Sequence, residues 1–243
     1  MECARLNRYG LLSVSGQDAR EFLHAQLTND VRNLPPERAL LAGWCSAKGR
    51  LLATVLVIPA PQGFLLQLSR DLAPSVAKRL GLFVLRSKVR IADESDAWAQ
   101  FGVWDADAPA GVIWEASSVS VPVGDRRYLR LEPAAAPSCI PDAGEEAWTL
   151  QEIRAGRPLI TQATQDRFLP QMVNLEQLEA VDFRKGCYPG QEIVARAQYL
   201  GQVKRRMVRL PSPEGTALRP GDEFNGGVVI DNAGGELLAV MPV

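Results

Sequence analysis

The sequence predicts an α+β fold with largely antiparallel sheets. Strand-like apolar runs and helix-like amphipathic segments are mixed, without the repeated strand–helix–strand order of a parallel sheet. Some neighbouring runs are joined by short polar turns, as in β-hairpins. With 243 residues, 47% of them hydrophobic and 23% charged, the chain is long enough for two domains with cores of their own.

The first elements are a helix and a hairpin. Ser15 to Asp18 has the spacing of a capping box and is followed by apolar residues on one helical face, which predicts a helix over Gln17–Leu27. The polar turn Ser46–Arg50 then separates two apolar runs and predicts a hairpin. The strands expected here are Ala39–Cys45, Leu51–Ile58 and Phe64–Leu68.

The middle of the chain continues the mixed pattern. Asp71 is placed to cap a helix whose apolar residues recur at helical spacing up to Phe83. The segment Glu132–Ser138 predicts a linker or a long loop, and a helix is expected over Glu145–Ala155. Two further strands are expected over Lys88–Ala92 and Trp98–Trp104.

A domain boundary is predicted near Leu200. From Gly201 onward, short apolar runs alternate with turns rich in glycine and proline, which is typical of a small β-domain. The sequence is therefore divided into residues 1–200 and residues 201–243.

Charge and hydropathy exclude several functions. The net charge of −1 argues against a protein whose main role is to coat nucleic acid or an anionic membrane. No stretch reaches the roughly 18 apolar residues of a membrane span, and the start of the chain is not of signal-peptide type. We expect a cytoplasmic protein that does not bind membranes.

The cysteines and the histidine predict no metal site. Cys3, Cys45, Cys139 and Cys187 form no C-x-x-C pair, so reduced thiols are expected and a cluster ligated by this chain alone is not. A single histidine, His24, excludes most zinc-hydrolase and Ser-His-Asp designs. We expect a surface or structural role for His24.

The octapeptide KGCYPGQE at Lys185–Glu192 is the strongest candidate for a site. Nearby cations and the N-terminus of a helix both stabilise a thiolate. Arg184 and Lys185 precede Cys187, and a helix is predicted from Gln191. The octapeptide alone is equally compatible with a buried cysteine in a structural turn.

Four segments, in this order, give the chain a resemblance to the YgfZ family, within the superfamily of the glycine-cleavage T-protein (GcvT). They are QLTNDV at Gln26–Val31, AKGR at Ala47–Arg50, PQMVNL at Pro170–Leu175 and the octapeptide. The resemblance extends from about Tyr9 to Lys204, and the octapeptide distinguishes YgfZ-like chains from true T-proteins. It implies a GcvT-like folate-binding region of two interleaved subdomains, followed by a small, short C-terminal β-barrel.

The resemblance implies a tetrahydrofolate-binding protein that supports assembly or repair of iron–sulfur clusters in client enzymes, including enzymes that methylthiolate tRNA. Cys187 is the family's functional residue. Lys185 matches the motif's lysine, and would stabilise the thiolate or pair with an anionic ligand; a solvated turn lysine is the alternative. The candidate folate contacts are Tyr9, Asn29, Asp30, Arg154 and Gln191.

For Tyr9 and Arg154, the residue type indicates which part of folate the side chain would contact. Tyr9 would stack on an aromatic ring of folate, with packing at the start of a strand as the alternative. Arg154 stands where the superfamily often has a glutamate. Because arginine cannot accept hydrogen bonds from a pterin, Arg154 would instead hold the glutamate carboxylates of folate.

The chain departs from T-proteins at the residue that supports aminomethyl transfer. T-proteins carry an acid after their Gly-Gly-Ile-Ile run, whereas Gly49–Leu52 is followed here by Ala53 and Thr54, which cannot act as an acid or a base. We therefore expect no aminomethyltransferase activity by that mechanism. A transferase with Asp30 or Glu192 as a reassigned carboxylate is one alternative function.

A tRNA-binding module is the other alternative. Lys204–Arg209 is densely basic, but alternation along a strand divides its charges between two faces, and no aromatic ladder accompanies them. We expect no strong binding of nucleic acid.

Overall fold

The computed structural model describes residues 1–124 and 126–243 and confirms an α+β architecture. Its helices are α1 (Ala19–Gln26), α2 (Ala73–Gly81), α3 (Glu145–Arg154) and α4 (Gln191–Tyr199), with a 3-10 helix at Pro170–Val173. Its strands are β1 (Glu2–Arg5), β2 (Tyr9–Ser15), β3 (Leu40–Cys45), β4 (Leu51–Ala60), β5 (Gly63–Ser69), β6 (Arg90–Asp93), β7 (Trp98–Trp104), β8 (Ile113–Glu115), β9 (Ser118–Gly124), β10 (Arg127–Pro133), β11 (Arg205–Pro211), β12 (Glu223–Phe224), β13 (Gly227–Ala233) and β14 (Glu236–Pro242).

The strands form three sheets, and the prediction of antiparallel pairing is confirmed. The sheet orders are β1-β7-β10-β9-β8, β3-β4-β5-β2-β6 and β11-β14-β13-β12. The β3–β4 hairpin, α1 and α4 lie where the sequence predicts them. Their spacing of apolar residues is therefore sufficient to specify them.

The chain divides into two units that are interleaved in sequence. The first unit comprises Met1–Phe22, Val31–Leu40 and Leu56–Trp148. The second unit comprises Leu23–Asp30, Leu41–Val55 and Thr149–Val243. Residues 201–243 are grouped with residues 149–200 in the second unit, and a separate domain beginning near Leu200 stays a prediction.

The C-terminal strands of the second unit form an open sheet. Strand β14 pairs with β11 on one side and with β13 on the other, and the short β12 completes the order. Val229, Leu237 and Val240 are fully buried. Among the described residues the sheet does not close into the barrel that the family resemblance implies.

One local prediction is wrong, and for another the structure decides between two alternatives. Asp71 does not cap α2, since the N-cap is Leu72 without a side-chain cap bond and Asp71 instead accepts a 2.6 Å hydrogen bond from Ser69 Oγ. The segment Glu132–Ser138, predicted as a linker or a long loop, lies inside the first unit, where Glu132 and Pro133 end β10 and the residues after them form a loop. Buried Glu132 accepts hydrogen bonds from the backbone N–H groups of Ser138 and Cys139, which hold this loop in place.

A buried tryptophan packs directly on a strand in the first unit. A Cβ on Gly102, in β7, would lie 2.2 Å from Trp148 Cδ2, and Trp148 is almost fully buried. The ring of Trp104 lies 6.0 Å from that of Trp148, measured between centroids. The indole therefore occupies the space that any side chain at Gly102 would need.

We expect Gly102→Ala to lower the free energy of unfolding by about 1–3 kcal/mol, because the new methyl group overpacks the core against Trp148. Urea denaturation measures the change. Gly81→Ala is the matched control, since a Cβ at the end of α2 meets no atom within 4 Å and should not destabilise the protein. Equal stability of Gly102→Ala and the wild type would contradict this packing.

Candidate functional site

The octapeptide at Lys185–Glu192 forms a loop that leads into α4. Gly190 is the N-cap of the helix and has φ 78° and ψ 4°, the left-handed conformation that glycine adopts most readily. Cys187 lies earlier in the loop and its side chain is exposed. The loop thus presents the thiol to solvent while its far end is fixed by a helix.

The AKGR turn packs against this loop through two glycines. A Cβ on Gly190 would lie 2.4 Å from the carbonyl oxygen of Ser46 and 2.6 Å from Gly49 Cα. Gly49 has φ +71°, and its own Cβ would lie 3.0 Å from Ile193 Cβ in α4. Two segments far apart in the sequence therefore meet by backbone contact, which leaves no room for a side chain at Gly190.

Lys185 is buried, and its ammonium group holds the C-terminal end of α1. Nζ donates hydrogen bonds to the carbonyl oxygen of His24 and, at 2.6 Å, to that of Leu27. Nζ also lies 4.9 Å from the ring centroid of Tyr188. A cation is favourable at a helix C-terminus and over an aromatic ring. Lys185 is therefore not the solvated turn lysine of the alternative interpretation.

His24 and Asp30 form a pair beside the loop. His24 is buried, and its Nδ1 lies 3.1 Å from Asp30 Oδ1. The other ring nitrogen, Nε2, would lie 3.7 Å from a Cβ on Gly186. The imidazole therefore packs against the backbone of the residue that precedes Cys187. A surface position for His24 is wrong because α1 turns this side chain inward.

Asn29 acts as a tether between segments of the second unit. Its Nδ2 donates to the carbonyl oxygens of Leu41 at 2.9 Å and Glu179 at 2.7 Å. Its Oδ1 accepts from the backbone N–H of Asp30 at 2.9 Å. Because an amide nitrogen has two N–H donors, both are used within the protein.

The thiols differ strongly in their surroundings. Among the four cysteines, all of which are described, Cys187 is exposed and Cys45 is buried. Burial raises the pKa of the Cys45 thiol to about 12. Burial also raises the pKa of Tyr188, with a further contribution from Cys45. At neutral pH, Cys45 and Tyr188, the residue that follows Cys187, are therefore both protonated.

Two cysteines that are distant in the sequence meet in the first unit. Cys3 Sγ and Cys139 Sγ lie 2.7 Å apart. Burial and the neighbouring Cys139 thiol raise the pKa of Cys3 to about 12. The described part of the chain contains no group of three or more His, Cys, Asp or Glu side chains placed to hold a metal ion.

The other predicted contacts are dispersed. Gln191 is the first residue of α4. Arg154 ends α3, and its Nε donates to Glu236 Oε1 at 2.8 Å. Tyr9 belongs to the first unit, where it is buried as the first residue of β2. The second unit thus contains all of the candidate residues except Tyr9.

The residues that replace the T-protein acid are structural. Ala53 and Thr54 are buried in β4. Thr54 Oγ1 donates to the carbonyl oxygen of Pro158 at 3.0 Å and accepts from the N–H of Ile160 at 3.1 Å. The hydroxyl group thus joins β4 to the segment that follows α3.

None of the helices in the described ranges is both long enough and apolar enough to cross a membrane.

Comparisons with known sequences identify relatives along most of the chain. No family model matches. The chain is 33% identical over 237 residues to the tRNA-modifying protein YgfZ of Klebsiella pneumoniae, covering 88% of this chain and 72% of that protein. It is 31% identical over 229 residues to the protein of the same name from Colwellia psychrerythraea, covering 85% of this chain and 70% of that protein. An uncharacterized protein of Haemophilus influenzae is 35% identical over 204 residues, with 83% and 70% covered. These relatives confirm the resemblance drawn from the four segments.

A solved structure confirms the fold. The chain is similar to the glycine cleavage system aminomethyltransferase T from Bartonella henselae, with a TM-score of 0.67 and 12% identity. The match covers 99% of this chain and 78% of that one. At this identity the similarity establishes a GcvT-like fold.

We expect Lys185→Met to lower the free energy of unfolding by about 2 kcal/mol, because two backbone carbonyl groups at the end of α1 lose a charged donor. Chemical denaturation measures the effect. Arg184→Met is the matched control, since Arg184 is the exposed neighbouring cation and should change stability by no more than about 0.5 kcal/mol. Equal effects of the two substitutions would contradict a supporting role for Lys185.

We expect iodoacetamide at mildly alkaline pH to alkylate Cys187 in the folded protein at least about tenfold faster than Cys45, whose thiol is buried and protonated. Peptide mass spectrometry measures both rates. The control is the same reaction in guanidinium chloride, where the two rates should converge. Comparable labelling of both residues in the folded protein would contradict the environments described for them.

Proposed function

Because the chain belongs to the YgfZ family, we propose that it binds tetrahydrofolate and supports the assembly or repair of iron–sulfur clusters in client enzymes, including enzymes that methylthiolate tRNA. The observation that carries this proposal is the exposed thiol of Cys187 within an intact octapeptide. The names of the curated relatives support a role related to tRNA modification. The GcvT-like fold supports folate as the ligand. A cytoplasmic location is part of the same proposal.

In this proposal Cys187 handles the reactive species, and buried residues position it. Lys185 holds one end of the loop through the carbonyl groups of His24 and Leu27 at the end of α1, and Gly190 fixes the other end against the AKGR turn. A thiol held in this way is accessible while the backbone around it is fixed. Lys185 therefore acts as a positioning residue for Cys187.

The remaining candidate residues differ in whether their polar groups are already hydrogen-bonded within the protein. Both N–H donors of Asn29 are used within the protein, so a positioning role follows for it. Asp30, Gln191 and Arg154 are proposed to contact folate directly, and stacking of a folate ring on Tyr9, which belongs to the first unit, stays a prediction. The Arg154 guanidinium has N–H donors besides Nε, which donates to Glu236.

The alternative functions gain little from the structure. Thr54 supplies no carboxylate and its hydroxyl group is bonded within the protein, so the T-protein mechanism has no acid at this position. In the basic strand β11, Arg206 Nη1 forms an ion pair with Glu176 and donates to the carbonyl oxygen of Gln171. The charge available to a tRNA phosphate is reduced accordingly.

The proposal is tested in a bacterium that lacks its own family member. We expect the wild-type chain to restore methylthiolated tRNA nucleosides, and Cys187→Ser to restore less than about a tenth of that level, because a hydroxyl group cannot replace a thiolate nucleophile. Mass spectrometry of digested tRNA measures the level. Cys45→Ala, which alters a buried cysteine, is the control and should retain function if the protein folds.

A ligand-protection experiment tests the folate part of the proposal separately. Tetrahydrofolate should slow alkylation of Cys187 in the purified wild-type protein and leave the labelling of unfolded protein unchanged. Full complementation by Cys187→Ser would refute the role of the thiol. Alkylation that is indifferent to tetrahydrofolate would refute a shared site for thiol and folate.

A further inference from the structure

Three arginines that the sequence does not group line one cleft of the second unit. The cleft has a volume of about 430 Å³, and Arg50, Arg167 and Arg205 are among its lining residues. Phe168 contributes an aromatic side chain, and Glu223 is the acidic residue that lines it. These five residues define the arginine cleft.

Backbone carbonyl groups hold the three guanidinium groups. Arg50 Nη1 donates to the carbonyl oxygen of Arg167, Arg167 Nη1 to that of Gly221 at 3.0 Å, and Arg205 Nη1 to that of Gly226 at 3.2 Å. A guanidinium group has five N–H donors, so each retains donors for a ligand. Since a carbonyl group carries no net charge, these bonds orient the cations and leave their charge intact.

These arginines differ from others in the same unit. Arg154 and Arg206 form ion pairs with Glu236 and Glu176, respectively. Within the described part of the chain, no ion pair is found for the three arginines of the cleft. Among the described residues, three positive charges and the negative charge of Glu223 therefore line the cleft, which leaves a local excess of positive charge.

We propose that the arginine cleft binds a ligand that carries two or more closely spaced anionic groups, of the carboxylate or phosphate class. Guanidinium groups recognise both classes through paired, charge-assisted hydrogen bonds. A single monovalent anion in an open cleft would gain little binding free energy, because water and salt screen a single exposed ion pair. Three oriented cations favour an oligoanion, since its charges engage them together.

The cleft adjoins the octapeptide through the AKGR turn. Arg50 directly follows Gly49, the residue in backbone contact with Gly190. An oligoanion held by Arg50 would thus lie on the turn that supports the Cys187 loop. This inference does not depend on folate binding, because it concerns the charge and geometry of the cleft alone.

Isothermal titration of the full-length protein tests the inference with defined probes. The probes are tripolyphosphate, a γ-linked glutamate trimer and, as the simple anion, inorganic phosphate. We expect at least one oligoanion to bind about tenfold more tightly than inorganic phosphate, and its affinity to fall as salt is added. Tighter binding of tripolyphosphate would assign the phosphate class, and tighter binding of the trimer would assign the carboxylate class.

Substitutions test whether the oligoanion binds in the arginine cleft. Arg167→Gln and Arg205→Gln should each lower the affinity for the preferred oligoanion by about fivefold or more, because each removes one oriented cation. Arg86→Gln is the control with the same change of charge at an exposed position of the first unit, and should leave affinity unchanged. Thermal melting checks that each variant is folded.

A charge change of the opposite sign keeps the inference testable if an arginine variant does not fold. Glu223 is exposed, so Glu223→Gln removes the negative charge from the cleft without disturbing a core, and should tighten binding about twofold or more. The inference is overturned if no oligoanion binds more tightly than inorganic phosphate. It is also overturned if Arg86→Gln weakens binding as much as the cleft variants do.

Discussion

The backbone contact between Gly49 and Gly190 is the constraint on which the candidate site depends. Both residues have left-handed φ values, and a Cβ on Gly190 would collide with Ser46 and Gly49. The hairpin turn and the start of α4 therefore approach too closely for a side chain at Gly190. This contact, made by main-chain atoms, puts the octapeptide and Arg50 on a common support.

The loop is fixed at its other end by a different kind of interaction. The ammonium group of Lys185 is buried and is stabilised by two carbonyl groups and by the Tyr188 ring. Burial of a charge is costly unless it is paired in this way. Cys187 lies between these two fixed ends and is itself exposed. Rigidity and accessibility are thus combined in eight residues.

Features encoded locally could be predicted from the sequence, and features that join distant segments could not. The periodicity of apolar residues specified α1, α4 and the β3–β4 hairpin, because each depends on neighbours in the chain. Lys185 was singled out by its motif, but its partners lie 158 and 161 residues away, so its supporting contacts had no local signal. The arginine cleft likewise combines side chains from separate segments. The cap predicted at Asp71 is wrong because this carboxylate accepts a hydrogen bond from Ser69 Oγ instead.

The pair of His24 and Asp30 has a practical consequence for spectroscopy. His24 is the one histidine in the chain, and its ring packs against the backbone beside Cys187. Every imidazole resonance in a proton NMR spectrum of this protein therefore comes from a single ring in the candidate site. The native protein contains its own reporter, and ligands, oxidation of the thiol or partner binding can be followed there without isotopes or labels.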